Sequence, residues 1–168
     1  MRVRWRVAMV VGVAAFVVIT SPSLAHAALA ITVPSSTNLG SVASGTTSLS
    51  HQLGTVTVTA SGVVAPTFTA TVSTTSFTTG AGGASQTIAT ASISYWSGPA
   101  TITTGAQITN PGQADAAHAQ DLSTSRTAFS STGLVLSITT AWNPTIVIAI
   151  PAAAVAGTYS GIITHSVA

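Results

Sequence analysis

The chain has no cysteine, no lysine and no glutamate. Without cysteine there is no disulfide staple, no thiolate metal site and no thiol for a lipid anchor. Without glutamate, a paired-carboxylate glycosidase would have to use Asp115 and Asp121, which lie too close in sequence to sit on two facing elements. Charged residues make up only 4% of the chain, and three of the four basic ones are Arg2, Arg4 and Arg6. Beyond them Arg126 stands alone against Asp115 and Asp121, a net charge of −1 with histidine neutral. Nucleic-acid binding needs clustered Lys and Arg to neutralise phosphates, so this composition excludes it. The basic isoelectric point belongs to the first six residues alone. No G-x-S-x-G elbow, P-loop or dinucleotide fingerprint is present.

The N-terminus reads as an export leader. Arg2, Arg4 and Arg6 form a positive start, followed by an apolar or small run of 13 residues from Val7 to Ile19. Thr20 to Ser23 are polar and turn-prone, and Ala25-His26-Ala27 has the small-x-small pattern of a signal peptidase site. A bilayer span needs about 20 apolar residues, so the run is too short for one. Residues 1–27 are therefore expected to be removed, with cleavage after Ala27 or alternatively after Ala30. Residues 28–168 remain as a single domain, long enough to build a core without staples. Its expected location is extracellular, secreted or at the cell-wall surface, with no membrane association once the leader is gone.

About a third of residues 28–168 are Ser or Thr. Threonine favours strands and serine favours turns. With so few charges, hydroxyl groups must solvate the surface. Apolar residues alternate with them at a period of two, the strand period. Val56, Val58 and Ala60 share one face, and Phe68, Ala70 and Val72 another. Thr87 to Tyr95 contributes Ile88 and Ile93, and Leu134, Leu136 and Ile138 are expected along one strand face. Ile146 to Ile150 is apolar on both faces, as in a strand covered on both sides. A last strand is expected from about Thr158 to Val167.

Turn signals separate these runs: Ser61-Gly62, Gly80 to Gly83, Ser97-Gly98-Pro99, Asn110-Pro111-Gly112, Asn143-Pro144 and Gly157. Helix is limited to one turn at Ala152–Ala156 and a short piece at Ala114–Gln120. The fold class is all-β, an Ig-like or Greek-key β-sandwich of about 8–10 short strands. Edge strands normally carry lysine or inward charges that block pairing with other sheets. This chain lacks them, so its edges are either covered by loops or paired with something.

The ionisable side chains beyond the leader are His51, Tyr95, Asp115, His118, Asp121, Arg126, Tyr159 and His165. Asp115, His118 and Asp121 have spacing that could ligate a metal ion. The competing reading is a solvated loop in which Arg126 pairs with one acid, and it is preferred here. No metal, cofactor or catalytic residue is expected. Among the aromatics, Tyr95 and Trp96 are strand neighbours and point to opposite faces, so one of them can be exposed and stack on a sugar ring. Trp142 sits at a strand entry before Asn143-Pro144.

The region from Ile31 to Ala168 resembles WxL-type cell-surface domains in their diverged, small secreted actinobacterial form. The segments that carry the resemblance are Leu53 to Val58, Phe68 to Ser73, Ser94 to Pro99, Trp142-Asn143-Pro144 and Ile150 to Val167. The two Trp-x-Leu positions of the family fall on Phe68-Thr69-Ala70 and His165-Ser166-Val167, neither of which keeps its Trp or Leu. The resemblance implies an extracellular β-sandwich that associates non-covalently with peptidoglycan. Candidate binding residues are Phe68, Ala70, Tyr95, Trp96, Trp142, Tyr159, His165 and Val167. The expected function is a non-enzymatic, envelope-associated binding or structural module whose partners are cell-wall glycan or envelope proteins. The alternative is a surface component that self-assembles or binds partners through open strand edges.

Overall fold

The computed structural model describes residues 6–11, 28–43 and 45–168. It is almost entirely β, as the alternation predicts. In chain order the strands are β1 (Arg6–Val11), β2 (Ala28–Thr32), β3 (Ser36–Asn38), β4 (Ser48–Gln52), β5 (Val56–Ser61), β6 (Thr67–Thr74), β7 (Phe77–Thr78) and β8 (Thr87–Ile88). They continue as β9 (Ile93–Trp96), β10 (Ala100–Thr104), β11 (Gln107–Pro111), β12 (Gln120–Asp121), β13 (Arg126–Gly133), β14 (Ser137–Trp142), β15 (Thr145–Ala149) and β16 (Thr158–Val167). Among the described residues, no helix is long and apolar enough to cross a membrane. The expected peptidase site at Ala25-His26-Ala27 lies outside the described residues.

The described residues form three hydrogen-bonded sheets. The largest runs β11-β13-β6-β16-β1-β3, with β7 and β8 attached to β16. The other two run β10-β14-β5-β2 and β12-β9-β15-β4. These two share an internal order, because β9 leads into β10, β14 into β15 and β4 into β5. They are one layer of three long strands, each broken at the same level. The breaks fall at Leu53-Gly54-Thr55, Ser97-Gly98-Pro99 and Asn143-Pro144. Strands are more numerous than the 8–10 expected partly because these long ones are each split in two.

The core lies between this broken layer and the large sheet. Val56, Val58, Ala60, Phe68, Ala70 and Val72 are all buried, as their alternation requires. Phe129 of β13 stacks on Trp142 of β14, with centroids 4.8 Å apart and planes 18° from parallel. The threonines between the buried positions, such as Thr67 and Thr69 on β6, face solvent. Hydroxyls thus supply the polar surface that charges supply in most domains.

Some local expectations are corrected. Leu134 and Leu136 do not line a strand face with Ile138; each is 63% exposed. The chain reverses there, from β13 in one layer to β14 in the other, and a turn breaks the period of two. The run from Ile146 to Ile150 buries Ile146 and Ile148, whereas Val147 and Ile150 are half-buried and Ala149 is exposed. The strand has the core on one face only. Residues 152–156 form turns in place of a helical turn, and Ala114–Gln120 contains a single 3-10 turn at Ala116–His118. The last strand spans Thr158–Val167 as expected.

Gly161, in the middle of β16, is required by packing. A Cβ there would run into the ring of Phe77, which is fully buried and has no room to retreat. Gly161→Ala is expected to cost about 1–3 kcal/mol by overpacking, read as a lower urea midpoint at unchanged slope. A midpoint equal to that of the parent chain would show that the ring moves freely.

Candidate functional site

The three strand breaks lie side by side and open a cleft on the outer face of the broken layer. Gly54 and Gly98 adopt positive φ, +94° and +69°, a conformation that glycine enters without steric cost. Pro144 ends the pairing of β14 because proline has no N–H to donate. The breaks are tied together: the Leu53 N–H donates to the Pro144 carbonyl at 2.8 Å. The Gly98 N–H donates to the Gln113 carbonyl at 3.0 Å, and the buried Ser97 hydroxyl donates to the same carbonyl at 2.9 Å.

The register places Trp96 of β9, Thr145 of β15 and Gln52 of β4 in one row across three strands. Paired residues on neighbouring strands share a face. With Ser50, His51, Gly54 and Asn143 they line an open cleft of about 630 Å³. Trp96 is half-buried, and its ring leans over Gly98, where a Cβ would touch Cζ3 at 3.4 Å. Thr145 is only 4% exposed, yet its Oγ1 has no hydrogen-bond partner among the described residues, and neither does the buried Oδ1 of Asn143. Buried polar atoms nearly always find a partner in a folded protein. Both oxygens are themselves buried, in residues that line the same cleft as the Trp96 ring.

Among the described residues, no carboxylate, lysine or arginine lines this cleft. Its lining is an aromatic ring flanked by hydroxyl, amide and imidazole groups.

Directly behind the cleft, on the core side, lies a buried polar chain. Tyr95, the strand neighbour of Trp96, accepts from Trp142 Nε1 at 3.3 Å. Its hydroxyl is 3.1 Å from His165 Nε2. Donation from the tyrosine to Nε2 leaves only Nδ1–H of the histidine unpaired, whereas the reverse assignment strands the tyrosine hydrogen as well. His165 is thus a neutral ring, with Nδ1 lacking a partner among the described residues. Burial pushes its pKa down from 6.5 to about 4. Burial likewise raises the Tyr95 phenol, and the Trp142 N–H only partly offsets this.

The residues singled out from sequence therefore divide. Trp96 reaches the cleft. Tyr95, Trp142 and His165 form the buried chain beneath it. Phe68 and Ala70 are buried on β6, and Val167 is half-buried on β16. Ala70 pairs with Val167 and Val72 with His165, so the two segments that the resemblance aligns with Trp-x-Leu are neighbouring antiparallel strands facing the core. Tyr159 is buried, its hydroxyl donating to the Val155 carbonyl at 2.9 Å. Sequence reasoning missed His51, Gln52 and Thr145 as cleft residues. In the sequence Asn143 stands out as a turn residue and as part of the Trp142-Asn143-Pro144 segment, and nothing there marks it as a cleft residue.

The Asp115, His118 and Asp121 stretch does not assemble. His118 Nδ1 is 2.7 Å from Asp115 Oδ1, and Asp115 also accepts from the backbone of Ala117 and His118. Its hydrogen bond from His118 holds the carboxyl below the usual range. Asp121 instead accepts from the Ser123 hydroxyl and meets Arg126 at 3.4 Å. Among the described residues no group of three ligand-type side chains could hold a metal ion.

Comparison of the chain with family models, with curated proteins and with solved structures returns no match.

Proposed function

We infer that this chain is an exported, envelope-associated binding module without catalytic function, and that the Trp96 cleft holds a neutral glycan. The observation that carries this reading is a half-buried tryptophan ring in an open cleft whose other lining residues, Ser50, His51, Gln52, Gly54, Asn143 and Thr145, include no Asp, Lys or Arg. A sugar ring offers a C–H face to stack on the indole and hydroxyls to bond with the polar side chains around it. The leader-like N-terminus supports export, and a glycan of the cell wall is a ligand that an exported domain would meet. The resemblance to WxL-type domains points the same way, toward non-covalent attachment to peptidoglycan.

Retention of the chain on purified peptidoglycan tests the reading. Trp96→Ala is expected to weaken retention about tenfold, the loss of about 1.4 kcal/mol of stacking, while circular dichroism stays unchanged. Trp96→Phe should recover part of it. Retention no better than that of an unrelated secreted β-domain, or unaltered by Trp96→Ala, rejects the glycan assignment.

A second reading, partner binding through open strand edges, has one specific observation in its favour. Among the described residues, the outer edge of β16 over residues 158–163 is covered by Arg6–Val11 alone, a segment of the expected leader.

A further inference from the structure

We propose that the gap between β3 and the first half of β16 is an acceptor slot for a single strand, filled in the exported chain by an extended apolar segment of another polypeptide. The proposal deepens the second reading above and rests on removal of residues 1–27.

Strand β16 has two different edges. From Ile163 to Val167 its inner edge pairs with β6. The Ile162 carbonyl accepts from the Thr75 N–H at 2.9 Å, and Ala168 exchanges hydrogen bonds with Thr69. These even-numbered residues therefore point their backbone groups at β6. By the alternation of an extended strand, Tyr159, Gly161 and Ile163 point theirs the other way. On that side lies β1, parallel to β16, with Val7 opposite Tyr159, Met9 opposite Gly161 and Val11 opposite Ile163.

Beyond β1 lies β3, paired antiparallel to it through Ala8–Asn38, Met9–Thr37 and Val10–Ser36. Strand β3 is held from elsewhere as well, because the Thr37 hydroxyl donates to the Leu53 carbonyl at 2.7 Å. Removing β1 thus leaves two fixed edges one strand apart, with unpaired groups on both. Open edges of this kind recruit strands, through backbone hydrogen bonds for affinity and alternate side chains for selectivity.

The seated segment defines the occupant: six residues, extended, parallel to β16 and apolar from Val7 to Val11. The described residues of this chain offer no spare copy. The best match, Ala28–Thr32, is already paired along its length with β5. The occupant is therefore another protein's extended segment with apolar residues at alternate positions.

The test uses the chain exported by the producing cell and a synthetic peptide carrying residues 6–11 as probe. Intact mass reports leader removal by itself, and amide exchange reports the slot. In the exported chain the Gly161 and Ile163 amides should exchange at least about tenfold faster than those of Thr164 and Ser166. The peptide should slow Gly161 and Ile163 selectively. Ile162→Lys, at an exposed position paired with Val10 in the filled slot, should abolish that protection without altering the fold. If the exported chain is unfolded alone and folds on adding peptide, the proposal stands equally. Four results overturn it: Gly161 and Ile163 protected without peptide, equal protection by a peptide with aspartate at the Val7, Met9 and Val11 positions, an unfolded chain the peptide does not rescue, or saturation of the slot by a second copy of the chain. A chain that retains residues 1–27 instead refutes the export reading, and full protection at Gly161 would then mark the slot as filled in cis.

Discussion

Trp142→Ala is expected to remove about 3–5 kcal/mol of stability, a large part of the 5–15 kcal/mol typical of a whole domain. Trp142 is fully buried and joins the two layers. Its ring stacks on Phe129 from the large sheet and meets His165 edge-on, with centroids 6.5 Å apart. Its Nε1–H donates to Tyr95. Truncation leaves a ring-sized cavity in sheets that relax little, and takes away the donor that the Tyr95 hydroxyl accepts. Trp142→Phe keeps a ring against Phe129 but loses the N–H and part of the indole volume, so it should cost about 2–3 kcal/mol, less than the alanine variant. Urea unfolding followed by circular dichroism separates the two variants. A Trp142→Ala chain within about 1 kcal/mol of the parent would refute this account of the core.

Acidification from pH 7 to pH 4 is expected to withdraw about 3 kcal/mol through His165 alone. Its pKa is held near 4 by burial, against 6.5 in the open chain. Between those values the unfolded chain binds a proton that the folded one refuses, so stability rises with pH across this window. The contribution is complete above pH 6.5 and is lost as pH falls toward 4. The gap in pKa corresponds to about 3 kcal/mol. Tyr95, which faces the imidazole, stays neutral throughout because its own pKa is raised. Asp115 and Asp121 have lowered pKa values and act in the same direction, but only below their ordinary 3.8. His165→Gln, whose amide oxygen can still accept from Tyr95, should flatten the profile between pH 6.5 and 4 and leave the more acidic limb in place. An unchanged slope in that variant would assign the acid sensitivity to another group.

Much of the strand layout was legible before any coordinates. The period of two at Val56–Ala60 and at Phe68–Val72 identified the buried faces, because one face of each strand must leave water and neighbouring residues alternate. Thr158–Val167 was bounded correctly by Gly157 and by the end of its hydrophobic alternation. The same rule misplaced Leu134 and Leu136, since alternation has meaning only while the chain stays extended, and a layer-crossing turn interrupts it there. The adjacency of Tyr95 and Trp96 implied one ring in and one ring out, and the burial pattern agrees. Which of the two would be outside was not legible, because that depends on which side the large sheet covers.

The cleft was less accessible still. Gly98 and Pro144 signal turns in the sequence, whereas Gly54 stands there without any turn signal around it. Nothing local says that three breaks, separated by tens of residues, will line up. Their alignment follows from cross-strand register, such as Thr145 opposite both Gln52 and Trp96. That alignment turns three turns into one concave site.

Composition and alternation alone were enough to settle an all-β chain poor in ionisable groups, hydroxyl-coated outside and apolar within, because burial and strand period are properties of short stretches. The row of Trp96, Thr145 and Gln52, the buried Tyr95–His165 pair and the slot beside β16 arose from pairing between distant segments. Register is a cooperative outcome of packing the whole sandwich, so no single stretch of residues encodes it.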